Sequence, residues 1–162
     1  MTDRQWLTDM YVQHSDSVYR YALRRVGSPE DAEDVLVEVF AVAWRRRTVV
    51  PEPALPWLYR TAGNVIAHVI RGRQRRDRLT VRLSNVSTLH VDDPAPDPDI
   101  RAAVNRLPEP DAEILRLWAW ECLEPQEIAS VLDISPGAAR TRLSRAKARL
   151  REAYGSHEEV GS

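Results

Sequence analysis

Glu127-Ile-Ala-Ser-Val-Leu-Asp-Ile-Ser-Pro-Gly-Ala-Ala-Arg-Thr-Arg-Leu-Ser-Arg-Ala-Lys-Ala-Arg-Leu150 reads as helix, tight turn, helix. Ile128, Ala129 and Leu132 recur at the spacing of one helical face, Asp133-Ile134 turn the chain, and Ser135 caps a second helix opened by Pro136. At 100° per residue, Ala139, Leu143, Ala146 and Leu150 fall within about 60° of one another and form an inward face. The opposite strip holds Gly137, Thr141, Ser144 and Ala148, nearly all small. On its shoulders stand Arg140, Lys147 and Arg151 on one side, and Arg142, Arg145 and Arg149 on the other. A narrow ridge of small residues between guanidinium groups suits a helix that enters a major groove about 12 Å wide while its flanks reach phosphates.

Working outward, the eleven prolines leave long stretches uninterrupted, and because proline is tolerated only in a helix's first turn they outline the helices. A first helix is expected from Arg4 to Val26, with Leu7, Tyr11, Val18, Tyr21 and Ala22 on one face and Gly27 as its stop. Ser28-Pro29-Glu30-Asp31 opens a second that runs to Arg46, its face formed by Val35, Leu36, Val39, Phe40 and Ala43. A proline-broken loop spans Arg47 to Leu55. Pro56 opens a third helix, which ends in the cationic rod Arg71 to Arg78. Trp57 and Tyr59 on it are either stacking platforms for unpaired bases or, as their helical spacing favours, core residues.

From Thr80 to Asp99 periodicity gives way to Ser, Asn, Asp and Pro, which reads as a flexible acidic linker with a reach of roughly 65 Å when extended. Short helices are then expected at Ile100–Arg106, Pro110–Glu121, Pro125–Leu132 and Pro136–Tyr154, with a disordered tail from 155 to 162. The fold class is therefore all-α: two small helical domains, residues 1–79 and 100–154, joined by the linker at 80–99.

The formal charge of −1 conceals a segregation. Residues 1–82 carry 14 basic and 10 acidic side chains, 83–114 carry 2 and 7, 115–151 carry 7 and 4, and 152–162 carry 0 and 3. Two basic blocks flank an acidic one. Of the 23 basic residues only Lys147 is lysine, a preference that fits a high-GC coding bias first and that also favours bidentate phosphate contacts.

Other classes find little support. No stretch approaches the roughly 18 apolar residues of a membrane span, and Asp3, Arg4 and Asp9 interrupt the apolar core a signal peptide needs, so no membrane insertion and a cytoplasmic location are expected. His14, His68, His90 and His157 are scattered, and neither metal spacing nor a glycine-rich phosphate loop is present, so no enzyme, metal or cofactor is expected. Cys122 reads as a buried structural thiol.

Leu107-Pro108 through Leu150 resembles domain 4 of extracytoplasmic function (ECF) sigma factors: leucine-proline, an apolar helix, glutamate-isoleucine-alanine, then a serine-glycine turn into a basic recognition helix. Ala32-Glu33-Asp34-Val-Leu-Val-Glu38-Val-Phe40, Ala43-Trp44, Trp57-Leu-Tyr-Arg60 and Asn64 before an arginine run resemble domain 2 of the same family. The resemblance implies that Asp34 and Glu38 dock on the clamp helices of the largest subunit of core RNA polymerase. It implies that Asn64, His68, Arg71 and Arg73, with the loop before them, capture the melted −10 strand of promoter DNA. Arg140, Thr141, Ser144 and Arg145 become readers of the −35 duplex, with Arg142 on a phosphate. It further implies a separate anti-sigma factor as regulator.

Four positions depart from the family pattern. Val37 replaces glutamine, His68 replaces aspartate or asparagine, Glu124-Pro125 replaces a serine-led cap, and Ala138-Ala139 replaces threonine-valine. The alternative function is a helix-turn-helix regulator acting without polymerase. Against it, the N-terminal half carries no ligand-pocket or phosphoacceptor pattern.

Overall fold

Short capping residues and apolar stripes set where each helix begins, ends and packs. The computed structural model describes residues 2–77 and 98–160, and the side chains as far as Gly72 and Gly155 in the helices that end these two stretches. All the regular structure among the described residues is helical, and the helices gather into two compact units.

The first unit is α1 (Asp3–Val26), α2 (Pro29–Arg45) and α3 (Leu55–Asp77). Thr2 starts α1, its hydroxyl accepting the Gln5 N–H at 3.1 Å. Gly27 ends it at φ 72°, where its N–H returns to the Leu23 carbonyl at 2.9 Å. A residue with a Cβ is strained at that φ, so glycine supplies the stop. Ser28 accepts from the Asp31 N–H at the head of α2, with Pro29 in the first turn. The three helices pack pairwise around Val18, Ala22, Val35, Val39, Ala43, Leu58 and Ala62, all fully buried. Tyr21 and Tyr59 stack at 5.0 Å in this core, which decides Tyr59 as a core residue; Trp57 is half-buried. Beside the stack, a Cβ on Gly63 would meet the Tyr21 hydroxyl at 3.1 Å, so α1 and α3 approach closely because position 63 carries no side chain. Tyr11, expected on the inner face of α1, is half exposed and only edges onto the Phe40 ring at 5.1 Å.

The second unit is α4 (Pro98–Arg106), α5 (Glu109–Ala119), α6 (Pro125–Leu132) and α7 (Pro136–Val160). Pro98 and Asp99, read from sequence as the end of the linker, form the first turn of α4; the rest of that linker lies outside the described residues. α7 runs past Tyr154 to Val160 and takes in most of the stretch read as a disordered tail. Val104, Ile114, Leu115, Leu117, Ile128, Ala139 and Ala146 fill the core. Burying a Leu or Ile side chain is worth about 1.5–3 kcal/mol.

Two left-handed residues shape this unit. Cys122, at φ 58°, follows α5, and the next N–H, that of Leu123, closes on the Leu117 carbonyl at 3.0 Å. This helix-ending geometry turns Leu123 into the core and leaves Cys122 outside. The thiol is therefore exposed rather than buried as expected. Asp133, at φ 56°, is itself the left-handed cap of α6, its N–H returning to the Ala129 carbonyl. Glu124 makes a firmer start to α6 than its residue type predicts, because the Glu127 carboxylate reaches back to accept the Glu124 N–H at 3.0 Å.

Candidate nucleic-acid interface

The turn between α6 and α7 fixes the entry of the basic helix. Asp133 and Ile134 both direct their N–H groups to the Ala129 carbonyl, and the Ser135 hydroxyl accepts the Ala138 N–H at 3.1 Å. The inner face of α7 follows the expected wheel, with Ala139, Leu143 and Ala146 buried and Leu150 half-buried. The outer strip follows it too, since Gly137, Thr141, Ser144 and Ala148 are exposed. Arg140, Arg142 and Arg145 stand exposed beside that strip and make no hydrogen bond or ion pair among the described residues. Five donor-bearing side chains, Arg140, Thr141, Arg142, Ser144 and Arg145, thus project from about two turns of one helix.

The flanks are less uniform than the wheel implies. Arg149 belongs by angle with Arg142 and Arg145, yet its guanidinium lies 2.6 Å from the Asp111 carboxylate on α5. Lys147 belongs by angle with Arg140, yet its ammonium sits 3.9 Å from the centre of the Trp118 ring. Both depart from the expected row of solvent-facing cations. Partners 38 and 29 positions away in sequence claim them, and helical periodicity carries no information at that separation. Arg116 on α5 is similarly engaged, by Glu109, Glu113 and Asn105.

In the first unit, Asn64, His68 and Arg71 fall at i, i+4 and i+7 along α3 and are all exposed. Arg71 donates to the Ala67 carbonyl at 3.2 Å. The Arg73 side chain, like those of the rest of the arginine rod, lies outside the described residues. The loop before α3 is held by Arg47, which bonds Asp3 at 3.2 Å and the Trp44 carbonyl at 2.9 Å while lying 4.3 Å over the Trp44 ring. Arg46, Thr48 and Val49 remain exposed on it.

Asp34 and Glu38 lie one turn apart on the outer face of α2, both exposed. Glu38 pairs with Arg45 at 3.1 Å, and Val37 between the two acids is 70% exposed. A shallow groove between α1 and α2, lined by Tyr11, Tyr19, Glu33, Leu36 and Val37, adjoins this face. On α1, burial lowers the His14 pKa by disfavouring the imidazolium, an effect the Glu52 carboxylate partly opposes.

The described residues bring together no three His, Cys, Asp or Glu side chains that could hold a metal ion, and no described helix is long and apolar enough to cross a membrane.

Residues 10–76 match the family model for sigma-70 region 2, and residues 98–150 match that for sigma-70 region 4. ECF RNA polymerase sigma factor SigL of Mycobacterium tuberculosis is 30% identical over 154 residues, covering 88% of this chain and 85% of SigL. This chain belongs to the ECF sigma factors of the sigma-70 family. The ECF factor SigE of Mycolicibacterium smegmatis is also 30% identical, over 155 residues, but the chain spans only 60% of its length. It spans 33% of the probable sigma factor RfaY of Xanthomonas campestris, at 34% identity. Among solved structures, the sigma factor RpoE of Bartonella quintana in complex with the anti-sigma factor NepR superposes with a TM-score of 0.69 at 20% identity, covering 90% of this chain and 94% of that one. CnrH in complex with the cytosolic domain of CnrY gives 0.66 at 19%, covering 94% and 90%. These structures show the shared sigma-factor fold.

Proposed function

We propose that this chain is an alternative sigma factor that binds core RNA polymerase, carries it to a set of promoters and helps open the −10 region. The observation that supports it best is the pairing, in one chain and in order, of the two sigma-70 regions with the row of Arg140, Thr141, Arg142, Ser144 and Arg145 on α7, exposed and unpaired among the described residues. In this reading, Arg140, Thr141, Ser144 and Arg145 read the −35 duplex and Arg142 holds a phosphate. Asn64, His68, Arg71 and Arg73 engage the melted −10 strand, and Asp34 and Glu38 dock on the polymerase clamp helices. Residues 1–79 and 100–154 then act as two modules on the acidic strap at 80–99.

The contribution is binding rather than catalysis, and the site is cytoplasmic because polymerase is there. One solved structure of the same fold is a sigma factor in complex with an anti-sigma factor, NepR, and another, CnrH, is in complex with the cytosolic domain of CnrY. A separate anti-sigma factor is the matching regulator here.

Run-off transcription on genomic fragments tests the proposal. Discrete start sites that appear only when the chain is added to core polymerase are expected. Duplex binding without any association to core polymerase overturns it in favour of a polymerase-independent regulator.

A further inference from the structure

The Arg149–Asp111 contact removes one cation from the flank that α7 offers to DNA. Arg142, Arg145 and Arg149 share a shoulder of that helix, at i, i+3 and i+7. Arg142 and Arg145 are unpaired among the described residues, whereas Arg149 meets Asp111 at 2.6 Å, with the carboxylate 12% and the guanidinium 55% exposed. The asymmetry matters. A largely buried carboxylate is costly to leave without a cation, so Asp111 holds its partner firmly. A half-exposed guanidinium has no such need and would serve equally well on a phosphate. Arg149 lies about 10 Å along the axis from Arg142, well within the span of a helix laid in a groove.

We propose that Asp111 is a positioning residue that keeps Arg149 off the phosphate backbone and so lowers the sequence-independent share of duplex binding by α7. The inference rests on the reading of α7 as a duplex-binding helix. Each phosphate contact steepens the dependence of log K on log salt by about 0.9, so one contact more or less changes the affinity ratio between about 50 and about 200 mM salt by about 3.5-fold. A released Arg149 adds one contact.

The test uses the full chain and a labelled duplex of arbitrary sequence, titrated at both salt concentrations. Asp111→Asn, nearly isosteric, is expected to raise the affinity ratio about 3.5-fold above wild type. The double variant Asp111→Asn/Arg149→Gln should return it to the wild-type value, which a merely structural effect of residue 111 would not do. Arg149→Gln alone should leave the ratio unchanged, and a lowered ratio there overturns the proposal even if Asp111→Asn fails to fold. A wild-type ratio in folded Asp111→Asn, a gain that persists in the double variant, or a ratio lowered by Arg149→Gln overturns the proposal. Arg142→Ala serves as the separate control and should lower the ratio about 3.5-fold. If it does not, the duplex-binding reading of α7 fails, whatever Asp111 does.

Discussion

Helices α2 and α7 are built alike on the inside and oppositely on the outside. Each lays small and branched residues against its unit's core: Ala32, Val35, Val39 and Ala43 in α2, and Ala139, Leu143 and Ala146 in α7. Outside, α2 shows Glu33, Asp34, Val37 and Glu38, whereas α7 shows Arg140, Thr141, Arg142, Ser144 and Arg145. The acidic face carries a bare valine at its centre and suits a protein surface, where apolar area adds to charge pairing. The basic face carries only small residues at its centre and suits a charged polymer with a groove to fill. In the proposed reading, one packing solution serves two kinds of partner, and the outer residues alone tell them apart.

The comparison can be strained first at the shared interior. Leu143→Ala, at a residue 4% exposed, is expected to destabilise α4 to α7 by about 2–5 kcal/mol in urea denaturation. Leu36→Ala, at the more accessible rim of the α2 face, should fall at the low end of that range. Equal losses would mean that the two interiors are not packed as described.

The outer faces come next. Arg140→Ala and Arg145→Ala should each reduce discrimination between promoter and mismatched −35 duplexes by ~1–3 kcal/mol when bound with polymerase, whereas Arg142→Ala should weaken all duplexes alike. Uniform weakening by all three would remove base reading from α7. On α2, Glu38→Gln breaks an exposed pair with Arg45, so its effect on folding should stay below about 1 kcal/mol. Its binding to core polymerase should nonetheless fall measurably in a pull-down or titration. Unchanged binding would detach the acidic face from polymerase docking.

The smallest effect concerns the turns that hold these helices. Cys122→Gly relieves a side chain at φ 58°, and the flexibility that glycine adds to the unfolded chain offsets part of the gain. The midpoint of unfolding should rise by an amount worth a few tenths to about 1 kcal/mol. A fall would show that the thiol contributes more than its backbone costs.

Much of this was legible in the sequence, and for a physical reason. Helix boundaries follow from local chemistry, and Thr2 apart, the caps at Gly27, Ser28 and Ser135 announced themselves. The inward face of α7 followed from period alone. What escaped were contacts between distant segments: Asp111 with Arg149, Trp118 with Lys147, and the strapping of Arg47 to Asp3. Nothing in a helical wheel distinguishes Arg145 from Arg149, because the difference lies on another helix. Cys122 was misjudged because its place between Glu121 and Leu123 at the end of a core helix suggested burial, while the left-handed backbone that turns it outward leaves no mark in residue type. The α1–α2 groove was likewise not foreseen, since Tyr11 and Val37 are individually ordinary.

Trp118 is 40% exposed and has the Lys147 ammonium 3.9 Å from its ring. A cation on an indole face shifts the ring's emission, and Lys147 rides on the same helix as the exposed arginines. Any polyanion that draws that ammonium aside will change the colour of the indole's light. Emission from Trp118 alone, once Trp6, Trp44, Trp57 and Trp120 are replaced by phenylalanine, therefore tests without a dye whether a duplex on α7 displaces Lys147.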